Sequence, residues 1–265
     1  MTSSHLLKMG DRIRNNPCFD AIQFPSLKHE LKAHWDIVMM EFPSTANDFS
    51  SNAWFDRLYE QHNETGRYYH TAVHLKELME YFTILLESEG SSSSSTASAV
   101  RDSGLGAVYR LAVFFHDAIY DPKSRQNEKD SAVLFEQFCN EHQNIPNVTQ
   151  TMVVTLILAT EKHQVVKNDD NLSCDEGVQR LFLDMDMAVL GKHKEAYMAY
   201  AGLIRQEYSF VPEDVYCEKR AEVLTKFLQH SRIYVSDVFH TALEESARQN
   251  LQAEIDLLKA NCVPS

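Results

Sequence analysis

Val108-Tyr109-Arg110-Leu111-Ala112-Val113-Phe114-Phe115 is apolar around nearly its whole circumference when wound as a helix, and it stops at two adjacent polar residues, His116-Asp117. A helix with apolar residues on every side belongs in an interior, so the chain around it must supply other helices or strands to cover it. Outward in both directions, apolar residues recur three and four apart. They predict helices over 27–42, 48–63, 69–87, 100–119, 126–142, 147–163, 176–190, 192–209, 212–230 and 236–259. No segment sustains the period-two alternation of a strand. Pro122 follows the helix ending near Tyr120, Asn127 and Glu128 suit the opening of the next, and Pro212-Glu213-Asp214 suits a first turn. Only 8 glycines and 7 prolines occur in 265 residues, too few for a many-turned β architecture. The expected fold is all-α, a single-domain multi-helix bundle over 1–265 with its core at about 54–235 and helical extensions at both ends. The stretch SEGSSSSSTASA, 88–99, has no apolar periodicity and is expected to be a mobile serine-rich loop inserted in that domain.

Charge and cysteine usage narrow the partners. Thirty-eight acidic against 25 basic residues give a net charge of −13, which repels polyanions and excludes a nucleic-acid polymer as partner. Cys18, Cys139, Cys174, Cys217 and Cys262 are odd in number and form no CxxC pair, so reduced thiols in a cytoplasmic protein are expected. The N-terminal residues lack the apolar stretch of a secretory signal, and no apolar run approaches a membrane span, so no membrane association is expected. The C-terminal helical pattern, with Leu243, Leu251, Ile255 and Leu258, suits packing on its own domain or in a homo-oligomer.

The informative residues are polar ones that interrupt apolar faces. His70 and His74 stand four apart in RYYHTAVHL, about 40° around a helix, and Leu78, Tyr81, Phe82 and Leu85 continue their face. The pair suits either metal ligation or hydrogen bonding to buried carbonyls. Asp117, at the end of the buried helix, needs a cation unless it reaches water. His163 closes the stripe Met152, Leu156, Ala159, as a ligand or as a cap on the helix dipole. Asp186 shares a face with Phe182, Val189 and Leu190; Asp184 lies about 200° away and is expected to be solvated or to serve a helix N-terminus. Arg205 and Arg220 lie along apolar stripes, either in salt bridges to Glu207 or Asp117 or as planar forks for a phosphate.

As a set these residues resemble the HD-domain metal-dependent phosphohydrolases. YYHTAVHL, FFHDAIYD and LDMDMAVLG stand in the order of that superfamily, with a histidine 42 residues before the His116-Asp117 dyad and an aspartate 69 after it. A histidine after ILAT and an arginine in IRQEYSFV also recur in its small predicted phosphohydrolases, and the likeness covers about Trp54 to Tyr234. The resemblance implies an HD-type bundle in which His74, His116, Asp117 and Asp186 ligate a divalent metal (manganese, iron, zinc, nickel, cobalt or magnesium) and Asp117 is essential to catalysis. It implies that His70 donates a proton, and that His163 ligates a second metal or touches substrate. The activity implied is hydrolysis of a small phosphate ester, such as a nucleotide, by metal-activated water. Arg205 and Arg220, with Arg67, would offset phosphate charge, and Asp121 and Glu128 would orient a water or a ligating histidine from behind. Two alternatives stand beside it: a di-iron oxygenase, a chemistry that also occurs on HD-type scaffolds, and a non-catalytic module binding a nucleotide or partner in the same pocket.

Overall fold

The computed structural model describes residues 11–14, 26–43, 49–88, 105–166 and 174–264. The serine-rich stretch beyond Ser88 lies outside these residues, as does Cys18. The fold is all-α, with no strand among the described residues. The helices are α1 (Leu27–Glu41), α2 (Phe49–Gln61), α3 (Ala72–Ser88), α4 (Leu105–Phe115), α5 (Asn127–Glu141), α6 (Asn147–Ala159) and α7 (Glu176–Asp186). A 3₁₀ turn (Met187–Gly191) follows, then α8 (Lys194–Glu207), α9 (Glu213–Gln229) and α10 (Asp237–Lys259). Among the described residues no helix is long and apolar enough to cross a membrane.

The chain forms two compact units, one of residues 20–65 and 70–183, the other of 1–19, 66–69 and 184–265. In the first, α4 is buried from Leu105 to Phe115 except at Gly106 and Arg110. Its aromatic end is clasped by rings from three helices. Trp35 meets Phe114 edge-on at 5.3 Å, Phe115 packs on Phe135 at 5.1 Å and on Phe138 at 5.3 Å, and Trp54 lies 6.3 Å from Phe115. Ring pairs of this kind add about 0.5–1.5 kcal/mol each beyond their buried area. Together they fix the C-terminal end of α4, where the His116-Asp117 dyad begins.

The second unit is held by buried polar contacts between distant segments. Gly191 has no room for a side chain: a Cβ there would meet the Leu243 Cβ at 2.5 Å and the Tyr234 hydroxyl at 3.0 Å. Asn250 donates its amide to the carbonyls of Leu190 and Lys192 at 2.9 and 2.8 Å, and Tyr234 donates its hydroxyl to the Met187 carbonyl at 3.1 Å. These contacts seat the 3₁₀ turn against α10.

Of the two roles expected for Asp184, solvated or serving a helix N-terminus, the structure excludes the first and fits the second. Asp184 is fully buried, and its two oxygens accept from the backbone N–H groups of Val235 and Ser236 at 2.9 and 2.6 Å. These groups lead into α10, whose first turn is capped by the Ser236 hydroxyl. Burial pushes the Asp184 carboxyl up to about 6.

Candidate metal centre

The helix carrying His74 starts later than its apolar pattern begins. Thr71 accepts a hydrogen bond from the Val73 N–H at its hydroxyl, and its carbonyl accepts from His74 and Leu75, so α3 opens at Ala72 behind a threonine cap. His74 therefore lies in the first turn of α3, 2% exposed. His70 lies in the bend before it, half-buried, so the two histidines do not share one helical face as the spacing predicts. Their rings still meet, edge to face, with centroids 6.1 Å apart. The His70 ring also stacks on Tyr120 at 4.2 Å.

Past the end of α4, His116 is 1% exposed and its Nδ1 lies 2.9 Å from the Val113 carbonyl. A carbonyl only accepts, so Nδ1 carries the proton and a neutral His116 presents its Nε2 lone pair. That Nε2 lies 3.0 Å from Asp117 Oδ2, and the same oxygen lies 4.0 Å from His74 Nε2. The two imidazole rings are 5.4 Å apart. A carboxylate oxygen and an imidazole lone pair at 3.0 Å repel unless a cation neutralises them. The cation is either a proton on Nε2 or a metal ion.

The donor set fits a metal. Nitrogen and oxygen ligands sit about 2.0–2.2 Å from a zinc-sized ion, which allows two ligands of one ion to be at most about 4.4 Å apart. Both measured separations fall inside that limit. The Nδ1 contact to the Val113 carbonyl is also the usual way a ligating histidine is oriented from its far side. Two imidazoles and a carboxylate suit borderline divalent ions.

Asp186 is the last residue of α7, half-buried, one helical turn beyond Phe182 on the same face. The Phe182 ring meets His116 edge-on at 5.9 Å. His163 follows α6 in a turn, half-buried, with φ of 49°, a left-handed backbone that few non-glycine residues adopt.

Asp121 is exposed and builds a turn. Its Oδ1 accepts from Lys123 N at 2.9 Å, while Asn127 binds its N–H and carbonyl through the side-chain amide. Glu128 is in the first turn of α5, half-buried, where its charge suits the helix dipole.

The arginines have internal acceptors. Arg205 donates to the carbonyls of Tyr208 and Val211 at 2.7 and 3.2 Å and lies over the Tyr216 ring. Arg220 pairs with Glu254 through Nε at 2.9 Å and Nη2 at 3.4 Å; Tyr197 donates its hydroxyl to the same carboxylate. The salt-bridge partner of Arg220 is thus Glu254, 34 residues away. Glu207 instead accepts the backbone N–H groups of Tyr68 and Tyr69, both at 2.8 Å, beside buried Arg67. Sequence spacing did not single out Tyr120 or Glu254 as partners, and it offered Glu207 as an arginine's partner, because each acts through a contact remote in the chain.

No family model, curated protein or solved structure matches the chain.

Proposed function

We propose that this chain is a metal-dependent phosphohydrolase of the HD type, cleaving a small phosphate ester such as a nucleotide. His74, His116 and Asp117 would hold a divalent ion, and the resemblance to the HD family adds Asp186 as the fourth ligand. The observation that carries the reading is the meeting of half-buried Asp117 Oδ2 with the nitrogens of two buried imidazoles, one of which, when neutral, is held as an acceptor by the Val113 carbonyl. The resemblance in YYHTAVHL, FFHDAIYD and LDMDMAVLG supports the same four residues. Asp186 suits the role because Phe182, one turn earlier on its face, abuts His116.

A divalent ion bound there supplies Lewis acidity toward a phosphoryl oxygen and lowers the pKa of a bound water. The chain's own residues do the rest. Asp117 places negative charge where the cation is needed, and the Val113 carbonyl holds the His116 ring in its tautomer. His70, half-buried at the mouth of α3, would give the leaving alkoxide its proton. Arg67 remains our candidate for phosphate charge, since Arg205 and Arg220 also hold the fold together. The odd number of cysteines without a CxxC pair supports a reducing, cytoplasmic setting for this reading; burial pushes the Cys139 and Cys174 thiols up to about 12.

Elemental analysis of the purified protein, with phosphate release measured across nucleotides and sugar phosphates, tests the reading. We expect about one ion per chain, as a single four-ligand site requires. Asp117→Ala should lose both ion and phosphate release while keeping its helical circular dichroism. Absence of turnover with every divalent metal across that panel would overturn it; absence of any ion would leave His116 as an imidazolium paired with Asp117.

A further inference from the structure

His70, the proposed proton donor, lies outside any regular element. It sits in the bend between the Gly66–Tyr69 segment and the Thr71 cap, half-buried, and its backbone alone does not set the direction of its ring. A proton donor must be placed within a fraction of an ångström to be effective, so something else must fix it. Tyr120 is placed to do this. Its ring stacks on His70 at 4.2 Å with 28° between the planes, while the His70 and His74 rings meet near perpendicular at 6.1 Å.

Tyr120 is itself held from both sides. Ala118 N–H bonds back to the Phe115 carbonyl at 3.1 Å, and Ile119 N–H donates to the Ser131 hydroxyl at 3.1 Å. On the other side the Asn127 amide clamps both backbone groups of Asp121. Tyr120 is three residues from Asp117 and four from His116. A single pinned stretch of backbone therefore carries two proposed metal ligands and the ring that holds the proposed acid.

We propose that Tyr120 is a positioning residue: its ring fixes the His70 imidazole relative to the ion site, so that His70 protonates alkoxide leaving groups. The proposal rests on the phosphohydrolase reading, but its structural half does not. The stack has a signature of its own, because a tyrosine ring shields the protons of an imidazole lying on its face. The substitutions are Tyr120→Phe, which keeps the ring, and Tyr120→Leu, which removes it.

Two readouts test it. In proton–carbon NMR spectra of the imidazoles, with His70 assigned through His70→Asn, the His70 ring protons should be shifted upfield in the native protein and in Tyr120→Phe. They should move downfield in Tyr120→Leu. In turnover, a nucleoside 5′-monophosphate leaves as an alkoxide and needs the proton, whereas p-nitrophenyl phosphate leaves as a stable phenolate and does not. Tyr120→Leu should lower kcat on the nucleotide by about 10- to 100-fold, the range of an impaired general acid, with KM and p-nitrophenyl phosphate turnover changed by less than about threefold. His70→Asn should show the same selectivity, and Tyr120→Phe should resemble the native protein. Unshifted His70 protons in the native protein overturn the positioning role whatever the activity. Equal losses on both esters, or none on either, overturn its catalytic consequence. An upfield His70 signal without turnover of either ester by the native protein upholds the stack and defeats the phosphohydrolase reading instead.

Discussion

Three buried histidines, His62, His116 and His142, set Nδ1 against the carbonyl of the preceding turn, and burial alone does not tell them apart. What distinguishes His116 is the carboxylate oxygen at the far side of its ring. His142 instead stacks on Phe138 at 4.3 Å, as a core aromatic would. His142→Leu should therefore leave metal content and turnover intact, whereas His116→Leu should abolish both, as checked by elemental analysis and phosphate release on the same preparations. His34 adds a pH dependence of stability. Burial, with the nearby Arg110 charge, lowers its pKa from 6.5 to about 4. The unfolded chain thus binds a proton that the folded chain refuses between those values. Stability contributed above pH 6.5 is lost as the pH falls toward 4. Discounted for partial exposure, the loss between pH 7 and pH 5 is about 1 kcal/mol. His34→Leu should remove that part of the decline in urea unfolding at the two pH values; an unchanged difference would show His34 is not its source. At this scale the sequence reveals which residue types interrupt apolar faces but not their partners. Asp184 reads as either solvated or serving a helix N-terminus, and the choice is not legible because Val235 and Ser236, whose N–H groups it accepts, are 51 and 52 residues away.

All ten predicted helices form, since an apolar period of three and four records which face each buries. Their ends were less legible, because ends are set by single contacts that periodicity does not register. The pattern around Tyr69 runs on as helix, yet the Thr71 hydroxyl starts α3 three residues later. The pattern from Glu176 to Leu190 reads as one helix, yet its last turn tightens into a 3₁₀ turn where Gly191 passes close to Leu243. Thr71→Ala should cost about 1 kcal/mol, the usual worth of a lost cap, measurable by denaturant unfolding. Glu207→Ala should cost more, about 2 kcal/mol, because it leaves the N–H groups of Tyr68 and Tyr69 without their shared acceptor. It should also lower turnover, since that segment leads directly into His70. Loss of stability with full turnover would confine Glu207 to a structural role.

For the whole molecule, a net charge of −13 favours cations and disfavours free phosphate esters, so the surface field and the proposed centre ask for the same ligand first. An ion that binds the folded chain alone must stabilise it by mass action, about 2.7 kcal/mol when its concentration is a hundred times the dissociation constant. For a chain of this size that corresponds to about 5–10 °C in melting temperature. A chelator should therefore lower the melting temperature of the native protein by that amount, and adding back the ion found by elemental analysis should restore it. Asp117→Ala should melt near the chelated native value and respond to neither treatment, because the carboxylate that attracts the ion is gone. Asp186→Asn should respond only at higher ion concentration, as expected for a site that keeps His74, His116 and Asp117 but loses one charged donor. A native protein whose melting ignores both chelator and ion would mean that the charge between His116 and Asp117 is a proton.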